Sequence, residues 1–443
     1  MNTICRTALV AIAMTVPLLS WSGPLDEGKR LMEEGRTEEA LVQLRKAARQ
    51  GTLAAYPILV EYSLEQYDTD GAEEYIDAWR SRLSRNRKPA PESLDSLAGQ
   101  LVKLRNMLAR VEKIEILDSI TVPRDEFFTA YRLSAPAGRI LPPASVERIV
   151  GHEEHGVPSM AYMPENRSEI LWAAADSAGR TGLFGAGILD DGTPEPGHAL
   201  DSGLAEGGSA GYPFLMPDGV TLYFANNGEN SLGGYDIFMT RREDSEGETT
   251  YYRPQNMGMP YNSPYDDYML AIDENSGLGW FATDRNQIPD SVTVYVFTPE
   301  AMRVNVEPED SNLVALAKLS DIGLTRRPGT DYAALLAGKL PTATSAARDD
   351  SDGIFCVDMG NGRIYTTLGD FRSRDARSAM VEYLGTLGSL RRHLADEETL
   401  RRRYSRGEVI VASDILDSEQ QTAYLRRTAA AQLNRAIRLE TQP

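Results

Sequence analysis

The sequence predicts a multidomain α and β chain, with helices on its amino-terminal side, repeated antiparallel sheets in its middle, and helices again towards its carboxyl end. Three observations predict it. Over residues 23–90, and again after residue 371, apolar side chains recur at three- and four-residue spacing, the period of a helix with one buried face. Between those stretches the period falls to two, the mark of strands. Within that middle one strand–turn–strand unit occurs three times, with Trp172, Tyr223 and Trp280 in the same place at offsets of 51 and 57 residues.

Residues 1–22 read as a secretory signal: Arg6 gives the positive start, Thr7 to Leu19 the apolar run, and Ser20-Trp21-Ser22 a small-x-small cleavage site. At about 13 residues the run is short of the ~20 that cross a bilayer, so cleavage is expected rather than anchoring. No cysteine closes the run, which argues against a lipid anchor. Cys5 would leave with the signal, and Cys356 alone cannot form an internal disulfide. No later stretch is apolar enough to span a membrane. The expected product is exported, to the periplasm or cell envelope.

Residues 23–90 carry Leu25, Gly28, Leu31, Gly35, Ala40, Leu44 and Ala47 in the spacing of a helix pair, with Glu34-Gly35-Arg36-Thr37 at the turn. A second copy runs through Ala54, Leu59, Tyr62, Ala72 and Ile76, offset by roughly the 34 residues of a tetratricopeptide repeat, which the segment resembles. Two copies are too few to stand as an array, so bracing a neighbour and binding a partner both stay open. A basic, Pro-containing hinge follows, then a connecting helix within 91–112 with Leu94, Leu97, Leu101, Leu104 and Leu108 on one face.

Residues 113–370 are expected to form the sheets. Residues 113–150 alternate and are expected to be a first sheet of their own. The repeated units lie near 158–184, 212–239 and 268–297. In the central one, Pro217-Asp218-Gly219 is a tight turn, since Pro presets φ and Gly accepts positive φ. Val220, Leu222 and Phe224 then alternate with Thr221 and Tyr223, and a polar loop leads through Gly233-Gly234 to Asp236. Asp176, Asn227 and Asp284 share one place across the units. A unit that cannot hide its own apolar faces must stack on its neighbours, and roughly 40–50 residues per unit is the length of a four-stranded propeller blade. A loose insertion is expected near 326–352, and a hairpin over 353–368 is expected to complete a last blade, giving about five. Residues 371–443 read as helices, with Leu416, Leu425, Leu433 and Ile437 facing inwards on the last.

The central phrase, from Tyr212 through Pro217-Asp218-Gly219 and Tyr223-Phe224 to Gly233-Gly234-Tyr235-Asp236, resembles the TolB-type, WD-repeat-like β-propeller family. The stretch Asn256 to Asp267 looks like the inter-blade segment of Bacteroidetes-type cell-envelope proteins that join such a propeller to tetratricopeptide-like helices. The match covers residues 158–298, with Glu165-Asn166 and Glu274-Asn275 replacing Asp218-Gly219 in the flanking units. The resemblance implies a propeller whose Pro217, Asp218, Gly219, Tyr223, Asp236, Trp172, Trp280, Asp176 and Asp284 are structural.

The formal charge is −19, and residues 151–300 alone carry a net −18. That argues against nucleic acid and anionic membrane as partners of this region, and admits a basic protein or a divalent cation. Residues 371–443 are net +3, which suggests that tail and acidic middle touch.

Few constellations invite chemistry. Gly207-Gly208-Ser209-Ala210-Gly211 fits a nucleophile elbow, but it lacks the flanking strand and helix, and the only later His is His393. His152 and His155 are three apart in a Gly-rich turn, unlike the i, i+4 pair of a zinc-binding helix. Asp236, Asp267 and Asp284 are best read as acceptors for backbone N–H groups at turns. Asp266, Asp267 and Tyr265 are the candidate binding rim. No catalytic residue, cofactor or metal is expected. The expected function is that of an exported protein–protein interaction scaffold; the alternative is a propeller that binds or processes a glycan or peptide at its channel face.

Overall fold

The computed structural model describes residues 23–141, 143, 146, 158–175, 179–189, 194–245, 248–340, 348–350, 354–358, 364–365, 368–406 and 408–441. Residues 1–22, expected to be a signal, and the His152/His155 pair lie outside them. The chain divides into two units, up to Leu104 and from Arg105. It has amino-terminal helices, central antiparallel sheets and carboxyl-terminal helices.

The first unit holds α1 (Pro24–Glu33), α2 (Thr37–Arg49), α3 (Ala55–Glu65) and α4 (Thr69–Arg85), followed by α5 (Glu92–Leu108), which runs across the division. Gly28 lets α1 and α2 approach: a Cβ there would lie 2.8 Å from Leu44. Leu31, Ala40, Leu44, Leu59, Ala72 and Ile76 form the apolar seam, and Tyr56 stacks on Trp79 at 6.4 Å. Asp68 caps α4 by accepting from Gly71 N at 2.9 Å.

Three antiparallel sheets form the middle of the second unit. The first orders β2 (Arg139–Leu141), β3 (Pro158–Met163), β4 (Glu169–Ala175), β5 (Thr181–Gly187) and β6 (His198–Ala199). The second orders β10 (Glu248–Tyr251), β9 (Asp236–Ser245), β8 (Thr221–Asn226) and β7 (Ala210–Leu215), with β11 (Gln255–Asn256) also on β9. The third orders β12 (Asp267–Asp273), β13 (Leu278–Thr283) and β14 (Ser291–Thr298), and its edge is β1 (Glu115–Pro123). Side chains of all three meet in one apolar core, including Tyr162 and Leu171, Phe214 and Phe224, and Leu270 and Phe281. The segment between β1 and β2 joins that core through Phe127 and Tyr131.

Several expectations are corrected. Residues 113–150 are not a sheet of their own. Glu115–Pro123 pairs antiparallel with β14, Ile120 opposite Val294, while Arg139–Leu141 pairs with β3. The hairpin stands apart from the repeated sheets: β15 (Arg348–Asp350), β16 (Ile354–Asp358) and β17 (Ile364–Tyr365) form a separate three-stranded sheet, in which β16 and β17 pair antiparallel as the hairpin predicts. The insertion is not loose over its described part: the helix Tyr332–Lys339 packs on β1, where Glu115 accepts from the Tyr332 hydroxyl at 2.5 Å and pairs with Arg327. Nor does the alternation in the central unit sort buried from exposed. β8 is buried at Leu222, Tyr223, Phe224, Ala225 and Asn226 alike, because other sheets cover both of its faces.

The carboxyl-terminal helices Arg374–Ser405 and Ala412–Thr441 lie against each other through Ala376, Met380, Tyr383, Ala429, Leu433 and Ala436. Leu433 faces inwards as expected, but Leu416 is 60% exposed, since it lies on the opposite face of its turn from Ser418, which meets His393 of the partner helix. The basic tail meets the acidic sheets at the ion pair of Arg426 with Glu165.

Trp172 is fully buried and stacks on Phe184 at 5.8 Å. Trp172→Ala is expected to lower unfolding free energy by about 3–5 kcal/mol in denaturant titrations, whereas Leu416→Ala, on an exposed face, should change it by less than ~0.5 kcal/mol. Equal effects would contradict this packing.

Candidate functional site

The motif side chains gather where strands enter the second and third sheets. At the central turn Asp218 Oδ1 accepts from Val220 N and Thr221 N, both at 2.8 Å, and Gly219 takes φ 68°, as the Pro217-Asp218-Gly219 turn requires. Tyr223 and Trp280 lie in the shared core, at equivalent places on the second strand of their sheets. Trp172 belongs to a second cluster on the other side of the first sheet, with Ala161, Met163 and Ala186. Asp176 lies outside the described residues.

The repeat extends to hydrogen bonds. Asn227 Oδ1 accepts from Ser209 N at 2.7 Å, and one repeat later Asp284 Oδ1 accepts from Asp266 N at 2.9 Å. Asp236 Oδ2 accepts from Leu232 N at 3.0 Å, and Asp267 Oδ2 accepts from Ser263 N, each four residues earlier. Asn262 imitates a strand, donating to Ile237 O at 2.9 Å and accepting from Ile237 N at 2.7 Å. These carboxylates and amides satisfy backbone groups that no ladder reaches.

Asp267 is fully buried, so it stands inside the structure and not on a rim. Its Oδ1 accepts from Arg285 Nη2 at 2.8 Å. That guanidinium also donates to Tyr261 O at 2.8 Å and to Thr283 Oγ1 at 3.0 Å, and lies over the rings of Phe281 and Tyr295. Asp236, equally buried, leaves Oδ1 without a hydrogen-bond partner among the described residues. Burial, and then the nearby Asp267 charge, push its carboxyl up to about 8.

A group of part-buried polar and aromatic side chains adjoins this network. Asp266 Oδ1 accepts from Tyr235 N at 2.8 Å, and Gly234 permits it, since a Cβ there would lie 1.9 Å from that oxygen. Arg124 donates to Asp284 Oδ2 at 3.0 Å and to the Tyr268 hydroxyl. Tyr212, at φ 57°, packs edge-on to Tyr235, Tyr268 and Phe127. Burial raises its phenol to about 12, so it stays neutral and can donate. Of the candidate rim, Asp266 and Tyr265 are partly buried. Sequence reasoning missed Arg124, Arg285 and Tyr212. The first two are isolated arginines far from their partners in sequence; only Tyr212, between Gly211 and Pro213, carried a local hint of unusual backbone.

The other motifs are placed too. Ser209 precedes β7, and its hydroxyl accepts from Thr181 N at 3.1 Å. His393 is held by Ser418 between the carboxyl-terminal helices. Among the described residues no group of three His, Cys, Asp or Glu could hold a metal, and no helix is long and apolar enough to cross a membrane. No family model, curated protein or solved structure matches the chain.

Arg285→Ala strands Asp267 as a buried charge and is expected to destabilise the second unit by about 3–5 kcal/mol in denaturant titration. Asp236 gives a pH signature. Between about 4, where the unfolded carboxyl ionises, and about 8, the folded chain holds a proton that the unfolded chain has released. Stability should therefore fall as pH rises across that window and level off above it. Asp236→Asn should flatten this part of the melting-temperature profile, and an unchanged slope would contradict it.

Proposed function

We propose that the protein is a non-catalytic, exported scaffold of the periplasm or cell envelope that binds other proteins. In this reading the three sheets are blades of a TolB-type propeller, the amino-terminal helices are a tetratricopeptide-like pair of repeats, and residues 1–22 are a cleaved signal. The observation that carries it is the assignment of the motif groups: Asp218, Asp236, Asp267 and Asp284 accept hydrogen bonds from the chain's own backbone, which is scaffold work. The conserved geometry between repeats, with Asn227 and Asp284 holding equivalent amides, supports one repeated architecture. The net −18 of residues 151–300 favours basic protein surfaces over nucleic acid.

Affinity purification of the tagged chain at native level from an envelope fraction is expected to retain defined partner proteins. Retention should weaken with rising salt, since charge steers the encounter. Recovery of the chain strictly alone would overturn the reading.

A further inference from the structure

The outer edge of the second sheet is interrupted. Tyr252 N still donates to Arg241 O at 2.8 Å, and pairing resumes at Gln255 opposite Met239. Between them Arg253 and Pro254 leave the ladder. Across from this gap the loop before β9 presents Asn230. An open cleft of about 400 Å³ lies there, lined by Asn230, Phe238, Arg253, Pro254, Gln255 and Asn256.

Most polar groups around it are committed. Asn256 Nδ2 donates to Asp236 Oδ2 at 2.6 Å and to Asn230 O at 3.2 Å, while its Oδ1 accepts from Gly258 N and Asn262 Nδ2, each at 2.8 Å. Asn230 Nδ2 donates to Glu206 Oε1 at 2.8 Å. Arg253 is different. It is exposed, and among the described residues its guanidinium makes no hydrogen bond or ion pair. Arg242 and Arg285, in the same acidic stretch, are both paired with carboxylates. The Gln255 side chain is exposed beside Arg253.

We infer that this cleft docks the free carboxyl terminus of a partner polypeptide. A guanidinium presents two parallel N–H groups that match a carboxylate. The Gln255 carboxamide offers both a donor and an acceptor to the preceding peptide group. The volume falls within the roughly 300–1,000 Å³ of ligand clefts. A sugar acid fits less well, because Phe238 is fully buried beneath the cleft and offers no open ring face. The acidic surroundings repel an extended polyanion far more than a chain whose single terminal carboxylate meets Arg253 and whose body is neutral or basic. Naming a polypeptide as the ligand rests on the scaffold reading.

The test uses the full chain against immobilised hexapeptides randomised in their last four positions, once with free carboxyl ends and once amidated. Free-acid peptides should be enriched, amidated ones should bind about tenfold less or weaker, and Arg253→Gln should lose the enrichment to a similar degree. Arg253→Lys should recover only part, because it keeps charge but not the fork. Arg253 is exposed, so circular dichroism and melting should be unchanged in both variants. Equal binding of acid and amide, no enrichment in either, or retention by Arg253→Gln would overturn the assignment. So would binding of glucuronate without peptide enrichment, which would give the cleft to a sugar acid. If envelope partners are still captured while the library fails, the cleft assignment alone falls. If the library binds and no envelope partner is captured, the scaffold reading falls instead.

Discussion

The second and third sheets are covered on both faces, and that constraint governs what happens at their ends. A strand such as Leu278–Thr283, buried along its whole length, enters and leaves the core where water cannot satisfy stray N–H and C=O groups. Short acceptors on loops fill the gap. Asp236, Asp267 and Asp284 each take backbone N–H groups, and Asn262 takes one strand's N–H while giving to its C=O. Burying a carboxylate for this purpose is costly unless it is neutralised, and the two deepest have different solutions. Asp267 has Arg285. Asp236 is driven towards its protonated form by its burial and then by the nearby Asp267 charge.

The acidity of the chain therefore has two origins. Some carboxylates are internal fittings that the fold requires. Others, with the residues around Asp266 and Asp284, shape the field outside. Arg124 sits at the border between them, part exposed, joining Asp284 to Tyr268 and carrying its charge over that ring. The bidentate pair of Arg242 with Glu169 performs a related task between the first and second sheets, since each residue belongs to a different one.

The order of helices, sheets and helices was legible because periodicity and turn chemistry are local. So was the place of Tyr223 and Trp280, which a repeat fixes without any knowledge of contacts, whereas Trp172, at the matching position, packs in a separate cluster. What stayed hidden was pairing across distance. Nothing near Glu115 announces that Arg327 and Tyr332 will meet it, and nothing near Asp267 distinguishes a rim carboxylate from one buried on Arg285. Alternation in β8 misled for a related reason: it describes one covered face, whereas neighbouring sheets cover two. Residues 115–123 read correctly as extended, but extended chain can join any open edge, and only the tertiary arrangement selects β14.

That choice of edge has a kinetic corollary. During synthesis Ile120 is made long before Val294, so the early strand must wait, unpaired and partly apolar, until its distant mate leaves the ribosome. The third sheet thus closes later than the first and second, whose strands all precede residue 257 in the chain.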